Sequence, residues 1–289
     1  MGSLVAIANA VTVSLQDVLI KKLRGENTFF VIWLRLVVAL PILAIAVTVF
    51  ASWSVPPVPF WIIVVLINTP IEIFQFYVGY SAIQRSPLSL MAPLAASTSI
   101  FLIPVGYAIL GEVPTTAGFL GILSIVAGAF VLGWRIGETR TLAESIRNVF
   151  REPGTALILA GSFLVAISIS TSKLMFQYAS PFLTAFYLIA SIAIALTPLA
   201  FLRPAPVTIP AHGRAALLGG LALFTGISFG LHYLGLSLLP AVYYISIKRV
   251  SMLFNVLSGR FFFLEDHIRE RLAGAVLMVA GVLLIAFAS

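Results

Sequence analysis

Residues 28–50 read TFFVIWLRLVVALPILAIAVTVF, a run of 23 with a single charge, Arg35. As an α-helix rising about 1.5 Å per residue, a run of that length reaches about 35 Å. That is enough to cross the roughly 30 Å hydrocarbon core of a bilayer. Comparable stretches recur along the whole chain, at roughly 3–21, 28–50, 58–80, 87–110, 113–134, 154–178, 181–202, 213–235, 240–263 and 268–288. Proline marks many of the joins, as at Pro56-Pro57-Val58-Pro59, Ser180-Pro181 and Leu239-Pro240. Proline suits the first turn of a helix, where its missing N–H has no intrahelical partner. The expectation is an all-α integral membrane protein of ten transmembrane helices.

Composition agrees. Hydrophobic residues make up 61% of the chain and charged residues 9%, with a mean hydropathy of +1.11, where a soluble domain carries about 25% charge. There is no cysteine, so neither a disulfide framework nor a thiolate metal site is available. The net charge of +7 does not imply a nucleic-acid partner, because Lys and Arg beside membrane helices set topology. Residues 1–20 lack a basic start and run directly into an apolar span, so no cleavable signal peptide is expected. No phosphate-binding loop or HExxH motif occurs. Three scattered histidines are poor material for a nucleophile–base or metal cluster. The chain is not expected to be an enzyme, and no cofactor is called for.

The two halves resemble each other at a constant offset of 153 positions. That offset pairs Tyr80 with Tyr233, Pro87 with Pro240, Phe101 with Phe254, Gly106 with Gly259, Glu112 with Glu265 and Gly121 with Gly274. It also pairs Val126-Ala127-Gly128 with Val279-Ala280-Gly281. Each repeat then holds five spans, an odd number, so the halves enter the membrane in opposite orientations. Two inverted five-helix repeats with a site between them are a recurring plan for secondary transporters. The implied division is a first repeat over 1–134, a linker over 135–153 and a second repeat over 154–289.

At this point the chain resembles the EamA-like family of the drug/metabolite transporter superfamily. The resemblance rests on Gly111-Glu112 before the fifth span, Leu264-Glu265 before the tenth, the glycines that follow each, and Phe29–Leu43 in the second span. It covers nearly the whole chain. It implies a secondary transporter of ten helices in two inverted halves around a central cavity, and it fixes no substrate.

Six ionisable residues lie inside the spans: Asp17, Arg35, Glu72, Lys173, Lys248 and Arg249. A charge at mid-membrane is costly and usually faces a cavity or a partner. Helical spacing aligns Tyr244, Lys248, Ser251, Asn255 and Ser258 on one face of the ninth span, with Arg249 beside it. The first-repeat equivalents Met91, Ala95, Thr98, Leu102 and Val105 carry no charge, so a symmetric structural lock is the weaker account of the basic pair. A Lys-Arg pair in a ninth span also resembles the phosphate-binding pair of plastid triose-phosphate translocators.

Other polar faces are Asn68, Glu72, Gln75 and Gly79 in the third span and Thr225, Ser228 and His232 in the eighth. Asn9, Thr12 and Gln16 form a third face in the first span. Glu72 reads either as a proton-coupling group or as a counter-ion, and His232 as a packing residue or a relay. Lys173 reads as a cavity cation or as a side chain snorkelling to the interface. Asp17 and Arg35 read as an ion pair between adjacent spans. Glu112 and Glu265 read as acids at the positive end of the helix each precedes. Aromatic candidates for the cavity wall are Tyr77, Tyr80, Phe186, Tyr187, Tyr233, Tyr243 and Tyr244.

The function expected is secondary transport by alternating access of a small organic solute bearing a carboxylate or phosphate. Its candidate binding residues are Lys248, Arg249, Tyr244, Ser251, Asn255, Lys173, Glu72, Gln75, Gln16 and His232. The alternatives are a proton-coupled exporter of amino acids or amphipathic metabolites, and, less favoured, a non-transporting scaffold or receptor. The expected partners are the small-molecule substrate, an anion on the basic excess, the lipid bilayer, and protons or a counter-substrate. No nucleic acid is expected, and the protein would be a monomer or homodimer. The basic residues outside the spans, from Lys21 and Lys22 to Arg269 and Arg271, fall on one set of alternate loops. The positive-inside rule puts those loops in the cytoplasm and both termini outside, in the plasma membrane, or the inner membrane of a bacterium.

Overall fold

The computed structural model describes residues 1–23, 27–85, 88–133, 153–202, 211–255 and 268–288, with side chains except at 80–85, 88–96, 130, 132–133, 153–159, 211–212 and 268–272. Most of the linker, together with Pro87, Ser258, Gly259 and Glu265, lies outside the described residues. The regular elements among the described residues are all helices. They are α1 (Gly2–Lys22), α2 (Thr28–Phe50), α3 (Val58–Ile62), a π-helical turn (Ile63–Asn68), α4 (Thr69–Arg85), α5 (Leu88–Leu110) and α6 (Thr116–Gly133). There follow α7 (Pro153–Leu174), α8 (Pro181–Phe201), α9 (Ala211–Leu238), α10 (Ala241–Lys248) and α11 (Ile268–Ala288). Five described stretches are long and apolar enough to cross a membrane: Gly2–Lys22, Thr28–Phe50, Val58–Gly79, Pro181–Phe201 and Gly213–Leu238. The molecule is a multi-pass integral membrane protein.

Local chemistry fixes the helix ends. Asn27 caps α2, its Oδ1 accepting from the N–H groups of Phe29 (3.0 Å) and Phe30 (3.3 Å). Ser180 caps α8 through the N–H of Leu183 (3.3 Å), with Pro181 behind it. Such caps satisfy donors that have no intrahelical acceptor. Gly111, at φ +69°, ends α5 in a left-handed turn that only glycine adopts without penalty.

Two helices are interrupted. Pro70 lacks an N–H and crowds the preceding turn, and the backbone just before it relaxes into the π turn Ile63–Asn68, a wider winding that often marks a functional position. In the ninth stretch, read from the sequence as one continuous span, α10 stops at Lys248. Arg249–Val250 form a turn before the helix resumes at Ser251. Through this turn the backbone bonds tighten to three-residue spacing, Val250 N–H to Ile247 O (3.0 Å) and Met252 N–H to Arg249 O (3.0 Å). The equivalent stretch of the first repeat, α5, is unbroken.

The most extensive helix interface joins α6 to α11. A Cβ added to Gly121 would lie 2.8 Å from the Gly281 carbonyl oxygen, and one added to Gly128 would lie 2.6 Å from that of Gly274. Between them the Ser124 hydroxyl donates to Leu277 O (2.7 Å). Contacts that ascend one helix while descending the other show that α6 and α11 run antiparallel. They are also reciprocal under the offset of 153, since Gly121 corresponds to Gly274, Gly128 to Gly281 and Ser124 to its own partner Leu277. Small residues allow this approach, and in lipid, close packing rather than exclusion of water holds helices together. One apolar cluster gathers around α5, α6, α7, α10 and α11. A second gathers around α2, the π turn, α8 and the end of α1.

Candidate functional site

A cavity of about 270 Å³ lies among α1, α2, α4, α7, α8, α9 and the end of α10. Its polar and charged lining is Gln16, Asp17, Arg35, Glu72, Gln75, Ser172, Ser228, His232, Tyr233, Lys248 and Arg249. Among the described residues, none of the lining comes from α6 or α11.

Two buried networks hold the wall. On α1, Asn9 donates from Nδ2 to Ser228 O (2.9 Å) and to the Tyr244 hydroxyl (2.7 Å), while Ser228 Oγ donates to Asn9 Oδ1 (3.0 Å). Tyr244 in turn meets His232 Nδ1 (3.2 Å), and Lys248 Nζ lies 3.3 Å from the same nitrogen. A charged lysine can only donate, so whenever Lys248 carries its charge His232 Nδ1 is the acceptor of this contact. The second network starts at the π turn. Asn68 donates to Ser172 Oγ (2.8 Å) and accepts from Thr171 Oγ1 (2.6 Å). One turn on, Ser168 Oγ donates to Glu72 Oε1 (2.7 Å). Buried polar groups in a membrane must find partners within the protein, and these chains supply them.

The cations of the lining make further contacts. Arg35 lies over the Phe76 ring, 4.9 Å from its centroid. Arg249, placed at the break after α10, has a buried Nε with no hydrogen-bond partner. Asp17, read as a partner of Arg35, accepts from Asn255 Nδ2 (2.7 Å). Glu72 has a hydroxyl partner and, among the described residues, no cation at ion-pair distance.

A model of the EamA-like transporter family matches the chain twice, over residues 1–134 and 152–287. The chain belongs to the EamA-like transporter family. Its members are membrane transporters of the drug/metabolite type, and the double match gives one family unit to each half of the chain. A solved structure described only as "Crystal structure of protein" shares the fold at a TM-score of 0.80 and 14% identity, covering 100% of this chain and 99% of that one. The search of curated proteins returns no match.

The cavity of this EamA-like transporter brings together six of the ten residues expected at the site: Gln16, Glu72, Gln75, His232, Lys248 and Arg249. The other four lie elsewhere. Tyr244 is fully buried behind His232 against Gly235, where an added Cβ would collide with its ring. Ser251 is buried outside the lining. Asn255 serves Asp17. Lys173 is tied to the Glu112 carboxylate and to Leu239 O, so it neither reaches the cavity nor snorkels free.

Glu112 also differs from expectation. It does not cap α6, which follows it, but takes the Ala241 N–H at the start of α10 (2.7 Å). Of the aromatic candidates, Tyr233 lines the cavity. Phe186 and Tyr187 pack with Trp53 and Trp61, Tyr77 stacks on Phe29, and Tyr243 accepts from Thr115 N–H (2.8 Å). The Tyr80 side chain lies outside the described set.

Asp17, Arg35, Phe76 and Phe229 are lining residues that the sequence did not nominate for the site. The offset of 153 was a usable signal for the last two. Phe76 and Phe229 are repeat equivalents, and their rings meet edge to face at 6.1 Å.

Proposed function

We propose that this EamA-like transporter is a secondary transporter that moves a small, singly anionic organic solute by alternating access. Its ten spans would be arranged as two inverted repeats about an axis between Ser124 and Leu277 and between Phe76 and Phe229. The antiparallel, reciprocal packing of α6 on α11 supports that arrangement. The observation that carries the substrate reading is Arg249, a cavity-lining guanidinium with a buried, unpartnered Nε, next to Lys248 at a broken helix. Broken helices at mid-membrane are where transporters of this plan hold charged ligands. The lining carries three permanent or readily charged cations (Arg35, Lys248, Arg249) against two carboxylates (Asp17, Glu72). When all are ionised the excess is one positive charge, which suits one carboxylate or one phosphate group carrying a single charge. Guanidinium suits a forked contact to such a group, and the lysine serves as a point charge. The basic loops would face the cytoplasm.

The test is a thermal-shift screen of purified protein against small carboxylates, phosphate esters and amines. A ligand that binds the folded state raises the melting temperature. Stabilisation by monoanions and none by amines is expected; stabilisation by amines alone would overturn the reading.

A second reading is proton-coupled export of amino acids or amphipathic metabolites. It is favoured by Glu72, which lines the cavity with a serine rather than a cation as its partner. Glu72→Gln should then abolish accumulation driven by a pH gradient in proteoliposomes while solute exchange continues. Persistent accumulation would make Glu72 a binding-site acid only.

A further inference from the structure

At the end of α7, beside the cavity but outside its lining, one ion pair gathers four segments. Lys173 binds the Glu112 carboxylate, which follows the turn closing α5, and also the Leu239 carbonyl, just past α9. The other Glu112 oxygen takes the Ala241 N–H that opens α10 (2.7 Å). These two side chains are part-exposed, at 19% and 18%, so water can compete for the pair. Tyr243, in the first turn of α10, adds a contact to Thr115 N–H (2.8 Å). The far end of the same short helix is Lys248, in the cavity wall, 3.3 Å from His232. The i to i−3 bonded turn at Arg249–Val250 follows it. α10 is therefore a rigid piece of eight residues, about 12 Å long, clamped at one end and carrying a cavity cation at the other. A tightened turn within a longer helix is a common hinge.

We propose that Glu112 and Lys173 are the latch of one membrane face, and that α10 is the lever joining the latch to the cavity. The proposal rests on the alternating-access reading. Closure at this face is supported by the aromatic packing of Trp53 on Phe186 and of Trp61 on Tyr187, and by the Tyr187 hydroxyl on Ser54 O (2.9 Å). The lining residues of α1, Val13 to Ile20, belong to the C-terminal part of that helix, directed in the ten-span topology to the opposite face, and along α4 the lining runs from Glu72 in the first turn to Gly79 nearer that face. When the latch opens, α10 swings on the Arg249–Val250 turn, its Ala241 end moving furthest and Lys248, beside the pivot, turning relative to His232. The cavity is then exposed past Lys173.

The absence of native cysteine allows a direct test with a membrane-impermeant maleimide applied to either side of sealed proteoliposomes of known protein orientation. Ser172→Cys reports the cavity next to the latch, and Gly79→Cys reports its other end, where an added Cβ meets no described atom within 4 Å. In the otherwise native protein, Ser172→Cys should label slowly from the Lys173 face and Gly79→Cys readily from the opposite face. Adding Lys173→Gln, or Glu112→Gln, should raise the Ser172→Cys rate from the Lys173 face roughly tenfold, the order expected for losing an ion pair and a helix cap together. Gly79→Cys labelling from the other face should fall in parallel.

A purely structural pair would lower the melting temperature without moving this ratio of the two faces, and that result would overturn the latch. If both faces label in the native background and neither variant changes either rate, alternation stands and the latch is refuted. If the Lys173 face never labels in any variant, alternation itself fails and the latch with it.

Discussion

Replacing Lys248 and Arg249 together by alanine is expected to reduce transport of the stabilising anion at least about a hundredfold while leaving the protein folded. Truncating one partner of a buried, hydrogen-bonded charge pair costs about 2–5 kcal/mol, and here both contacts to the anion are removed. Stability should be unchanged or higher, because among the described residues Arg249 holds a buried Nε without a hydrogen-bond partner, and a buried charge in a membrane is unfavourable. Arg249→Lys, which keeps the charge but loses the fork, should fall between the native protein and the double variant. The measurement is uptake by proteoliposomes of the carboxylate or phosphate ester found in the thermal-shift screen, alongside the melting temperature of each variant. Full uptake by the double variant would remove this pair from the binding site.

The second large effect is expected far from the cavity. Gly128→Leu should destabilise the protein by at least about 3 kcal/mol, the upper end of the usual range for overpacking. The first added carbon alone would sit 2.6 Å from the Gly274 carbonyl oxygen and 2.6 Å from Met278 Cγ. The side chain of Met278 can move, but the backbone of α11 cannot yield without separating the helices. Gly121→Leu meets the Gly281 carbonyl in the same way, at 2.8 Å. Melting temperature and monodispersity in detergent report the loss. A stable Gly128→Leu protein with altered solute selectivity would mean that this interface is cavity wall rather than scaffold.

Much of the fold was legible because it follows from periodicity and composition. Apolar length pointed to membrane helices, five of which are long and apolar enough among the described residues, and the offset of 153 pointed to the two halves that the family model matches and to the glycines that meet across α6 and α11. The site was legible only in part. Helical spacing fixes the direction in which a side chain points, but not whether a neighbouring helix already covers that direction. Tyr244 lies on the same stripe as Lys248, yet Gly235 and Asn9 close over it. Lys173 was legible as a cation near a helix end, but its partner stands 61 positions away on another helix connection. Asp17 and Arg35 were assigned to each other as opposite charges on adjacent spans. In the fold, Asn255 and Phe76 also reach them, and partners so remote in sequence leave no local pattern. The break at Arg249 has no proline or glycine to announce it.

The π turn at Ile63–Asn68 carries a consequence for how this gene can change. A π turn holds one residue more than the α-helix around it, so everything beyond it is rotated by about 100° relative to an unbroken helix. Asn68 sits in that turn, and Glu72, Gln75 and Gly79 follow it into the cavity as a block. Loss of a single codon between Ile63 and Asn68 would let the segment rewind as plain α-helix and turn all three away from the solute at once, with no side chain altered. In this span, in-frame deletions and insertions should be purged at any position of the turn, whereas point substitutions should be purged only at residues that face the solute, so natural variation should preserve length more strictly than identity.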